Sequence, residues 1–391
     1  MVSLYDLSLA ELTEFCAGLG ERPFRARQLF AWLYGKGEND FAKMTDIPAI
    51  AREKLTANSN AGGLFLAESL SSTDGQTTKH LFGTDDGNYI ETVFMKYKDR
   101  NSVCISTQAG CRMGCRYCAS GSMGLVRDLS PAEMALQIVL SERAAGARTK
   151  NVVLMGIGEP LDNFDNVKKF IENFTDDHGR DLSRRAITLS TCGLVPGIER
   201  LAAELPQVEL AVSLHAPNDK LREEIMPVTK RYGVRALIEA AGRHYEKTHR
   251  RTTFEYMLIK GFNDELRHAA ELAAILKGMN CIVNLIPLNR AGNEGKSPDK
   301  PEAASGRYCG TGAEADGRYR GAGTDAASGG YHGGGAEAAS ARYRGAGAEA
   351  AERFREALGQ KHIPATVRKS LGADIDAACG QLRLRRAPNA E

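Results

Sequence analysis

Residues 104–118 read CISTQAGCRMGCRYC, and they place Cys111, Cys115 and Cys118 in a C-x3-C-x2-C spacing. Three thiolates at this spacing can hold three irons of a four-iron cubane, so the fourth iron lacks a protein ligand and can bind a substrate. A structural zinc ion instead prefers four closed ligands, commonly two C-x2-C pairs, and the chain has no second pair. Free thiols grouped by chance are the remaining alternative. The spacing favours an iron–sulfur cluster.

The cysteine content of the whole chain points the same way. The 391 residues include nine cysteines, an odd number, and four of them fall within the fifteen residues quoted above. We therefore expect metal ligation or redox chemistry rather than a disulfide framework. The chain has no apolar run near the ~20 residues that span a bilayer and no signal-peptide pattern at its start. We expect a cytoplasmic protein with no membrane partner.

Composition and charge describe a globular protein that is not strongly basic. Apolar residues make up 42% and charged residues 26% of the chain, and the net charge is +2. A protein that binds RNA by charge alone would be more basic, so any RNA contact must come from local patches. Residues 220–251 hold nine Lys or Arg against four Glu. Charge alone favours an ordinary solvated helix face there.

On both sides of the cysteines, apolar strands alternate with helical stretches. The predicted strands are SVCIST, NVVLMG, AITLST, VELAVSL, TTFEYML, CIVNLIPL and PATVRKS. This alternation predicts an α/β fold of parallel strands with crossover helices, arranged as an open sheet or as a full or partial barrel. In such folds the chemistry lies at the carboxyl ends of the strands.

The predicted strand ends carry small and polar residues. Residues 156–160 read GIGEP after the strand NVVLM; the glycines let a backbone approach a ligand, and the carboxylate can accept from an ammonium group. Three further ends read STCG (190–193), SLHA (213–216) and PLN (287–289). Each alone is more typical of a strand cap. Together, at successive strand ends, they can line one pocket.

The chain divides into five predicted parts. Residues 1–60 read as short helices that bury little surface alone, and so as an appended helical domain. Residues 61–95 contain a predicted hairpin with DDG as its turn. Residues 96–301 form the core, residues 302–350 an insertion, and residues 351–391 a C-terminal helix, strand and loop.

The insertion differs in composition from the rest of the chain. Residues 302–350 contain no Val, Ile, Leu, Met, Phe or Trp but thirteen of the 41 glycines, in a repeat of eleven to twelve residues. Because the segment has almost nothing to bury, we expect it to be disordered. Its Arg-Tyr pairs could contact RNA by charge and stacking, but an expanded repeat without a role is the favoured interpretation.

Tyr117, just before the last cysteine of the motif, gives it the form that resembles the radical SAM (S-adenosylmethionine) superfamily. Nearly the whole chain, apart from 302–350, is similar to the RlmN-type RNA adenine-C2 methyltransferases. The matching segments are LGERPFRARQLFAWLY, MTDIP, ETVFM, CISTQAGCRMGCRYCASG, MGIGEPLDN, LSTCG, SLHAPND, FEYMLIKGFND, NLIPLN and GADIDAACGQL. The resemblance implies a partial (βα) barrel of the radical SAM type, with a small N-terminal helical accessory domain that contacts RNA.

The resemblance also implies cofactors and residue roles. A 4Fe–4S cluster and SAM, two molecules per turnover, would serve a ping-pong methyl transfer. The implied ligands of the cluster are Cys111, Cys115 and Cys118. The implied contacts of SAM are Gly158, Glu159, Ser190, Ser213, Leu214, His215 and Asn289. Cys379 is the implied methyl carrier, Cys104 its resolving thiol and Glu91 the proton acceptor.

The chemistry of the base gives these roles a physical reason. Carbon 2 of adenine is electrophilic and weakly acidic, so its ordinary attack on a SAM methyl group is implausible, and a radical route avoids that problem. One SAM can methylate the Cys379 thiolate, and a second yields the radical that removes hydrogen from the S-methyl group. Addition to carbon 2 leaves a covalent protein–RNA adduct. Its release needs a base, Glu91, and a second thiol, Cys104, which ends in a Cys104–Cys379 disulfide.

The resemblance further implies the partners. The substrates would be 23S rRNA and an anticodon-loop adenine of tRNA, the electron donor a flavodoxin-type protein, and the enzyme a monomer. An adenine-C8 methyltransferase of the same branch would share the cysteines, but the complete N-terminal helical segment and the ETVFM and GADIDAACGQL contexts favour the C2 enzyme. A non-catalytic RNA-binding protein with a zinc site is the alternative from another class.

Overall fold

A mixed sheet forms the centre of the protein, and the computed structural model describes residues 1–288, 343–369, 371–382 and 385–386. The strands are β1 (Val2–Ser3), β2 (Ser59–Asn60), β3 (Leu64–Ser71), β4 (Thr77–Thr84), β5 (Asn88–Lys96), β6 (Asn101–Cys104), β7 (Gln108–Cys111), β8 (Gly124–Asp128), β9 (Asn151–Leu154), β10 (Ile187–Thr191), β11 (Glu209–Ser213), β12 (Thr252–Leu258), β13 (Cys281–Pro287), β14 (Ala365–Val367) and β15 (Arg385–Arg386). The helices are α1 (Leu9–Gly18), α2 (Phe24–Phe30), α3 (Ala49–Asn58), α4 (Pro131–Ala145), α5 (Phe164–Phe174), α6 (Val195–Glu204), α7 (Asp219–Ile225), α8 (Val234–Thr248), α9 (Leu266–Ile275) and α10 (Ala348–Gln360).

The sheet has a parallel and an antiparallel part. Strands β14, β13, β12, β11, β10, β9 and β6 lie side by side in that order and are all parallel. Strands β5, β4 and β3 continue it antiparallel, and β15 also pairs with β5. Within the described residues the sheet ends at β14 and β3, which do not pair with each other. All seven predicted strands are therefore confirmed as one parallel set that stays open.

The crossover helices begin and end at residues with clear local reasons. The side chain of Ser130 accepts from the backbone N–H of Glu133, and the Glu133 side chain accepts from the N–H of Ser130, so a capping box starts α4. Pro131 occupies the first turn, where its missing donor costs nothing. The helix ends at Gly146, whose φ of +59° suits glycine. Helix α4 then packs against β5 and α5.

The first 60 residues form the predicted helices and pack on the main sheet through α4 and α5. Helix α2 continues as a wider π-helical turn over 31–36, and β1 pairs with β2 to join the two ends of the segment. Asn173 of α5 donates to the hydroxyl of Tyr34 at 3.2 Å, and the backbone N–H of Ala132 donates to Asp6 at 2.8 Å. Apolar side chains of this segment share one continuous core with the sheet.

The predicted hairpin is confirmed as β4 and β5. Its turn falls at residues 85–87, where Gly87 has a φ of +81° that favours glycine. The pairing places Lys79 opposite Val93 and Leu81 opposite Glu91. Glu91, Val93 and Met95 are therefore alternate residues on one face of β5.

The described part of the chain resumes inside the predicted insertion. Residues 302–342 lie outside the described residues, but Gly345 forms a bridge with Ile259, and α10 begins at Ala348 rather than at 351. The insertion as predicted was therefore too long at its C-terminal end. Gly345 also lies so close to Leu288 that a Cβ would overlap the Leu288 carbonyl oxygen. The chain leaves and re-enters the fold at neighbouring points.

In the part of the chain that the structure describes, no helix combines the length and the apolar character needed to cross a bilayer.

Candidate active site

The carboxyl ends of β9 to β13 surround a cavity of about 140 Å³. Its wall brings together most of the residues predicted from the sequence, which come from many separate segments. They are Cys111, Cys115, Cys118, Gly158, Glu159, Ser190, Ser213, His215 and Cys379. Because the strands are parallel, their carboxyl ends meet at one edge, as the strand-end argument predicted.

Cys111 is the last residue of β7, and the other two motif cysteines lie on the tightly folded segment that follows it. The N–H of Cys118 donates to the Cys115 carbonyl at 3.2 Å, and the N–H of Gly121 donates to the Cys118 carbonyl at 3.1 Å. A Cβ on Gly121 would overlap the Cys115 carbonyl oxygen, so this turn requires glycine. Burial raises the pKa of the Cys111 thiol to about 12 and also raises the pKa of Cys115 and Cys118. These thiols therefore release protons when they bind a metal.

The donor set fits an iron–sulfur cubane better than a single zinc ion. Among the His, Cys, Asp and Glu of the described residues, one group of three has all its ligand atoms within 4.8 Å of one another. It consists of Asp176, Asp177 and His178. At least one pair of Sγ atoms among the motif cysteines is therefore farther apart than 4.8 Å. A tetrahedral zinc ion with Zn–S bonds of about 2.3 Å would hold its sulfurs about 3.8 Å apart. Three thiols around a wider cavity suit a multi-iron cluster.

The GIGEP loop is folded closely against the chain around Gln108. Gly158 has a φ of +108°, and a Cβ there would lie 2.7 Å from the Gln108 Cβ. The loop therefore requires glycine for this packing, while the predicted close approach of a ligand to these glycines stays a prediction. The Gln108 side chain accepts from the Glu159 N–H at 2.9 Å. This packing sets the position of Glu159 at the cavity wall.

Glu159 is a buried carboxylate held by backbone donors. Its two oxygens accept from the N–H of Cys192 at 2.7 Å and from the N–H of Leu161 at 3.1 Å. Burial raises the pKa of this carboxyl group, and the hydrogen bonds from Cys192 oppose that effect. The carboxylate thus links the end of β9 to the end of β10, where Ser190 and Cys192 also line the cavity.

His215 presents a neutral imidazole to the cavity. Its Nδ1 accepts the N–H of Met257 at 3.0 Å, so the proton of the neutral ring lies on Nε2. Burial, together with the positive charge of Arg222, lowers the pKa of His215 to about 3. The ring packs edge-on against Tyr117, with centroids 5.0 Å apart. The residue keeps a left-handed φ of +58°, which turns the chain at the end of β11.

Of the two remaining predicted SAM contacts, one does not line the cavity and the other lies outside the described residues. Leu214 does not line it; its side chain is fully buried in the main core, and its carbonyl accepts from Arg222 at 3.0 Å. The Leu214 side chain therefore does not reach the cavity, and the predicted SAM contact of this residue stays a prediction. Asn289 lies outside the described residues.

Cys104 and Cys379 line a second, smaller cavity of about 40 Å³. Cys379, Met155, Ile286 and Arg368 border both cavities, so the two spaces adjoin at Cys379. Burial and then the charge of Cys379 raise the pKa of Cys104 to about 12. Both cysteines are free thiols in the structure.

Arg368 lies between the two cavities, just after β14. Its backbone N–H donates to the Leu285 carbonyl at 2.8 Å, which extends the pairing with β13. Negative charge on Cys379 is the main cause that raises the pKa of Arg368, and Glu255 adds to it. The guanidinium is therefore a fixed positive charge beside the Cys379 thiol.

Glu91 lies beside the smaller cavity but does not line it. Val93 and Met95, on the same face of β5, do line it. The Glu91 carboxylate forms an ion pair with Lys79 at 3.4 Å, and both side chains are buried, at 2% and 5% exposure. The structure thus brings the predicted proton acceptor near the two thiols without exposing it.

Sequence reasoning missed two buried cations, Lys79 and Arg222. Arg222 is fully buried and donates to the carbonyls of Ser213 and Leu214 at 3.0 Å. It belongs to the charged run 220–251, so the interpretation as a solvated face is wrong for this residue, although most of the other Lys and Arg there are exposed. Local sequence offered no signal for either burial. Sequence reasoning also missed Arg368 as a residue of the site. Its place near the end of the predicted strand PATVRKS was a signal that could have found it.

Comparison with known proteins agrees with this geometry. Residues 2–60 match the ribosomal RNA large subunit methyltransferase N-terminal domain, and residues 105–273 match the radical SAM superfamily. A probable dual-specificity RNA methyltransferase RlmN from Desulforamulus reducens is 42% identical over 384 residues, which cover 98% of this chain and 96% of the relative. The chain belongs to the RlmN family. An RlmN relative with the same description from Clostridioides difficile is 42% identical over 382 residues, which cover 98% of this chain and 97% of the relative.

A solved structure extends the RlmN assignment to the fold. The crystal structure of a radical SAM methyltransferase from Sphaerobacter thermophilus has a TM-score of 0.82 and 41% identity, covering 98% of this chain and 99% of that one. The α/β core of the radical SAM type and the helical N-terminal domain are thus confirmed. As an RlmN-family radical SAM protein, the chain uses a 4Fe–4S cluster and SAM, and it is an RNA methyltransferase. The individual roles of Glu91, Cys104 and Cys379 stay predictions.

Proposed function

We propose that this enzyme methylates carbon 2 of an adenine in 23S rRNA and of an anticodon-loop adenine in tRNA, through an S-methyl group on Cys379. One observation carries the proposal. Cys379 borders both the cavity of the three motif cysteines and the cavity of Cys104. A single thiol between two such spaces is suited to receive a group on one side and to be released on the other.

The motif cysteines and the strand-end residues have the first task. Cys111, Cys115 and Cys118 would hold the cluster, and the lining residues Gly158, Glu159, Ser190, Ser213 and His215 would hold SAM. When bound, this pair supplies the methyl group and the radical chemistry, with two SAM consumed per turnover. Cys379 would accept the methyl group on its sulfur, which lies beside the Arg368 guanidinium. The carbon of this S-methyl group, after it loses a hydrogen atom, then becomes bonded to carbon 2 of the base.

Release of the methylated base is the second task. Glu91 takes the proton that leaves carbon 2, and Cys104 attacks the sulfur of Cys379. Both residues belong to the smaller cavity or its immediate surroundings, whereas the cluster cysteines belong to the larger one. The two tasks are therefore separated in space, with Cys379 common to both.

A basic cavity supports RNA as the substrate. Lys96, Lys98 and Lys369 line a space of about 680 Å³ that shares Arg368 with both cavities described above. Lysines in such a groove bind phosphates and so position RNA without reading its sequence. The chain is nearly neutral overall, so this patch is the kind of local positive surface that the composition required.

Two alternatives remain distinguishable. An adenine-C8 methyltransferase would use the same cysteines, but the match of residues 2–60 to an RNA methyltransferase N-terminal domain and the RlmN relatives favour carbon 2. A zinc-dependent RNA-binding protein is disfavoured by the match of residues 105–273 to the radical SAM superfamily and by the methyltransferase relatives. A flavodoxin-type donor, a monomeric state and a cytoplasmic location stay predictions.

Anaerobic reconstitution tests the proposal. The loaded enzyme is given methyl-labelled SAM, a reductant and unmodified transcripts of tRNA and of a 23S rRNA fragment, and the RNA is digested for nucleoside mass spectrometry. We expect 2-methyladenosine from both transcripts, none with Cys379→Ala, and undiminished product with Cys16→Ala, a buried thiol of α1 far from the site. 8-Methyladenosine, or product from Cys379→Ala, would contradict the proposal.

A further inference from the structure

The C-terminal loop (residues 371–382), which carries Cys379, is anchored on two sides. On the cluster side, the N–H of Ala119 donates to the Gly380 carbonyl at 2.8 Å, and the Ser120 hydroxyl donates to the Leu382 carbonyl at 2.7 Å. These bonds hold the loop to the segment that follows the motif cysteines. They involve neither Glu91 nor the antiparallel hairpin.

On the side of the antiparallel strands β3 to β5, the loop has two separate anchors among the described residues. The backbone N–H and the hydroxyl of Thr73 both donate to the Asp374 carboxylate at 2.8 Å. The ammonium group of Lys79 donates to the Asp376 carbonyl at 3.3 Å. Of these two anchors, the Lys79 bond is the one that also reaches Glu91, through the 3.4 Å ion pair.

Burying an ion pair costs desolvation free energy that apolar residues of similar volume would avoid. A role of the Lys79–Glu91 pair beyond stability is therefore worth seeking in what the two side chains contact. Lys79 is 5% exposed, and it lines neither of the two cavities next to Cys379. It is therefore placed to act on other residues rather than on a bound base. One side chain spans from the predicted proton acceptor to the backbone of the loop that carries the predicted methyl carrier.

We propose that Lys79 is a positioning residue that holds Glu91 and the Cys379 loop in a fixed relation for release of the methylated base. The inference rests on the proposed function. Addition of the methylene radical leaves one unpaired electron on the base, and this electron would pass to the oxidised cluster as Glu91 takes the proton from carbon 2. In release, Cys104 as thiolate then attacks the sulfur of Cys379. The carbon–sulfur bond breaks, a Cys104–Cys379 disulfide forms, and the electron pair of the broken bond stays on the former S-methyl carbon, which takes up a proton from solvent to become the methyl group.

The positions of the contacts that hold the C-terminal loop indicate which reaction step depends on Lys79. Methylation of Cys379 needs the loop against the cluster segment, and Ala119 and Ser120 maintain that contact without Lys79. Release needs the carboxylate and the loop together, and Lys79 joins them. Loss of Lys79 should therefore slow release and spare methylation, whereas a residue that only supports the fold would affect both.

The test measures the two steps separately. S-methylation of Cys379 is followed by peptide mass spectrometry, and decay of the protein–RNA adduct is followed on denaturing gels with a labelled tRNA transcript. In Lys79→Met we expect S-methylation close to the wild-type rate and adduct decay slower on the order of tenfold to a hundredfold, the loss typical of a misplaced reacting group. Lys79→Arg keeps the charge and donors and should restore most of the rate.

Two matched comparisons identify the mechanism. Asp374→Asn weakens the other anchor, to Thr73, without changing Lys79 or Glu91, and its adduct should decay as in the wild type. If Lys79 acts through Glu91, the double variant Lys79→Met/Glu91→Gln should decay no slower than Glu91→Gln alone. The double variant also removes both buried charges, so it remains informative if Lys79→Met alone fails to fold.

The outcomes separate this inference from the proposed function. Wild-type decay in a folded Lys79→Met, equal slowing in Asp374→Asn, or a double variant slower than Glu91→Gln would overturn the role of Lys79 alone. Absence of any adduct in folded, cluster-loaded Cys104→Ala would overturn the proposed function and this inference together.

Discussion

Cys104 and Cys379 face one cavity although Cys104 ends a central strand and Cys379 belongs to the C-terminal loop. Burial of Cys104 and the charge of Cys379 raise the pKa of Cys104 to about 12. The two thiols are thus neighbours with different environments, since Cys379 also borders the larger cavity and Arg368. Because the two thiols are close together but differently placed, we expect them to act in different steps and Cys104 to react in a pH-dependent way.

The order in which the thiols act can be read from trapped intermediates. Because each thiol breaks a different bond, removing one exposes the intermediate before its step. Cys379→Ala should form no adduct and no methylated RNA, whereas Cys104→Ala and Glu91→Ala should accumulate a denaturant-resistant protein–RNA adduct through Cys379. A denaturing gel of the folded, cluster-loaded variants with labelled RNA is the measurement. An adduct in Cys379→Ala would reverse the assignment.

Release of the adduct should depend on pH. The attacking group is the Cys104 thiolate, and burial, the main cause that raises the pKa of Cys104, keeps this thiol protonated at neutral pH also when Cys379 is bonded to the base and carries no charge. While the pH stays below the pKa of Cys104, each rise of one pH unit increases the thiolate fraction about tenfold. Adduct decay should therefore speed up about tenfold per pH unit between about pH 7 and pH 9. Decay of pre-formed adduct after a pH jump measures this. A flat profile would show that Cys104 is not the limiting thiolate.

The cluster prediction concerns iron. Anaerobically purified protein should be brown and hold about four irons per chain. Cys111→Ala, Cys115→Ala or Cys118→Ala should lose the iron and all turnover, while Cys281→Ala, a buried thiol of β13, should keep both. Metal analysis and absorption spectra check this. A colourless, zinc-loaded and active wild type would refute the iron–sulfur assignment.

The basic cavity should set RNA affinity rather than the chemistry. Lys98 and Lys369 are exposed and line it. Lys98→Ala and Lys369→Ala should each raise KM for RNA and reduce the salt dependence of binding by about one unit in the log–log slope, because each loses one phosphate contact. S-methylation of Cys379 without RNA should not change. Lys277→Ala, an exposed lysine after α9 that does not line this cavity, serves as a charge-matched comparison.

The insertion can be removed, but within narrower limits than composition suggested. Deletion of 303–342 should leave folding and cluster loading intact, because the chain leaves at Leu288 and returns beside it at Gly345, and loop closure depends weakly on length. Deletion of 303–350 also removes the Ile259 bridge and the start of α10, so it should lower thermal stability. Melting curves and iron content of the two deletions compare them directly; equal behaviour would contradict the boundary at 342.

The sequence by itself determined the parts of this protein that depend on local spacing. The C-x3-C-x2-C motif, the strands with polar carboxyl ends and the hairpin with Gly87 at its turn are all set within short windows, where residue period and turn chemistry act directly. Parallel strands then bring their ends to one edge, so Glu159, Ser190, Ser213 and His215 could be predicted to meet. The family resemblance added Cys104, Cys379 and Glu91.

Only the tertiary structure decided which side chains are buried, and against what. Arg222 lies in a charged run, yet the carbonyls that end β10 and β11 converge on it and leave it no solvent. Lys79 lies on an ordinary strand, yet it reaches both Glu91 and the C-terminal loop. Leu214 turns into the core beside the cavity that was predicted to include it. These outcomes depend on contacts between residues far apart in the chain, and such contacts leave no periodic or local trace in the sequence.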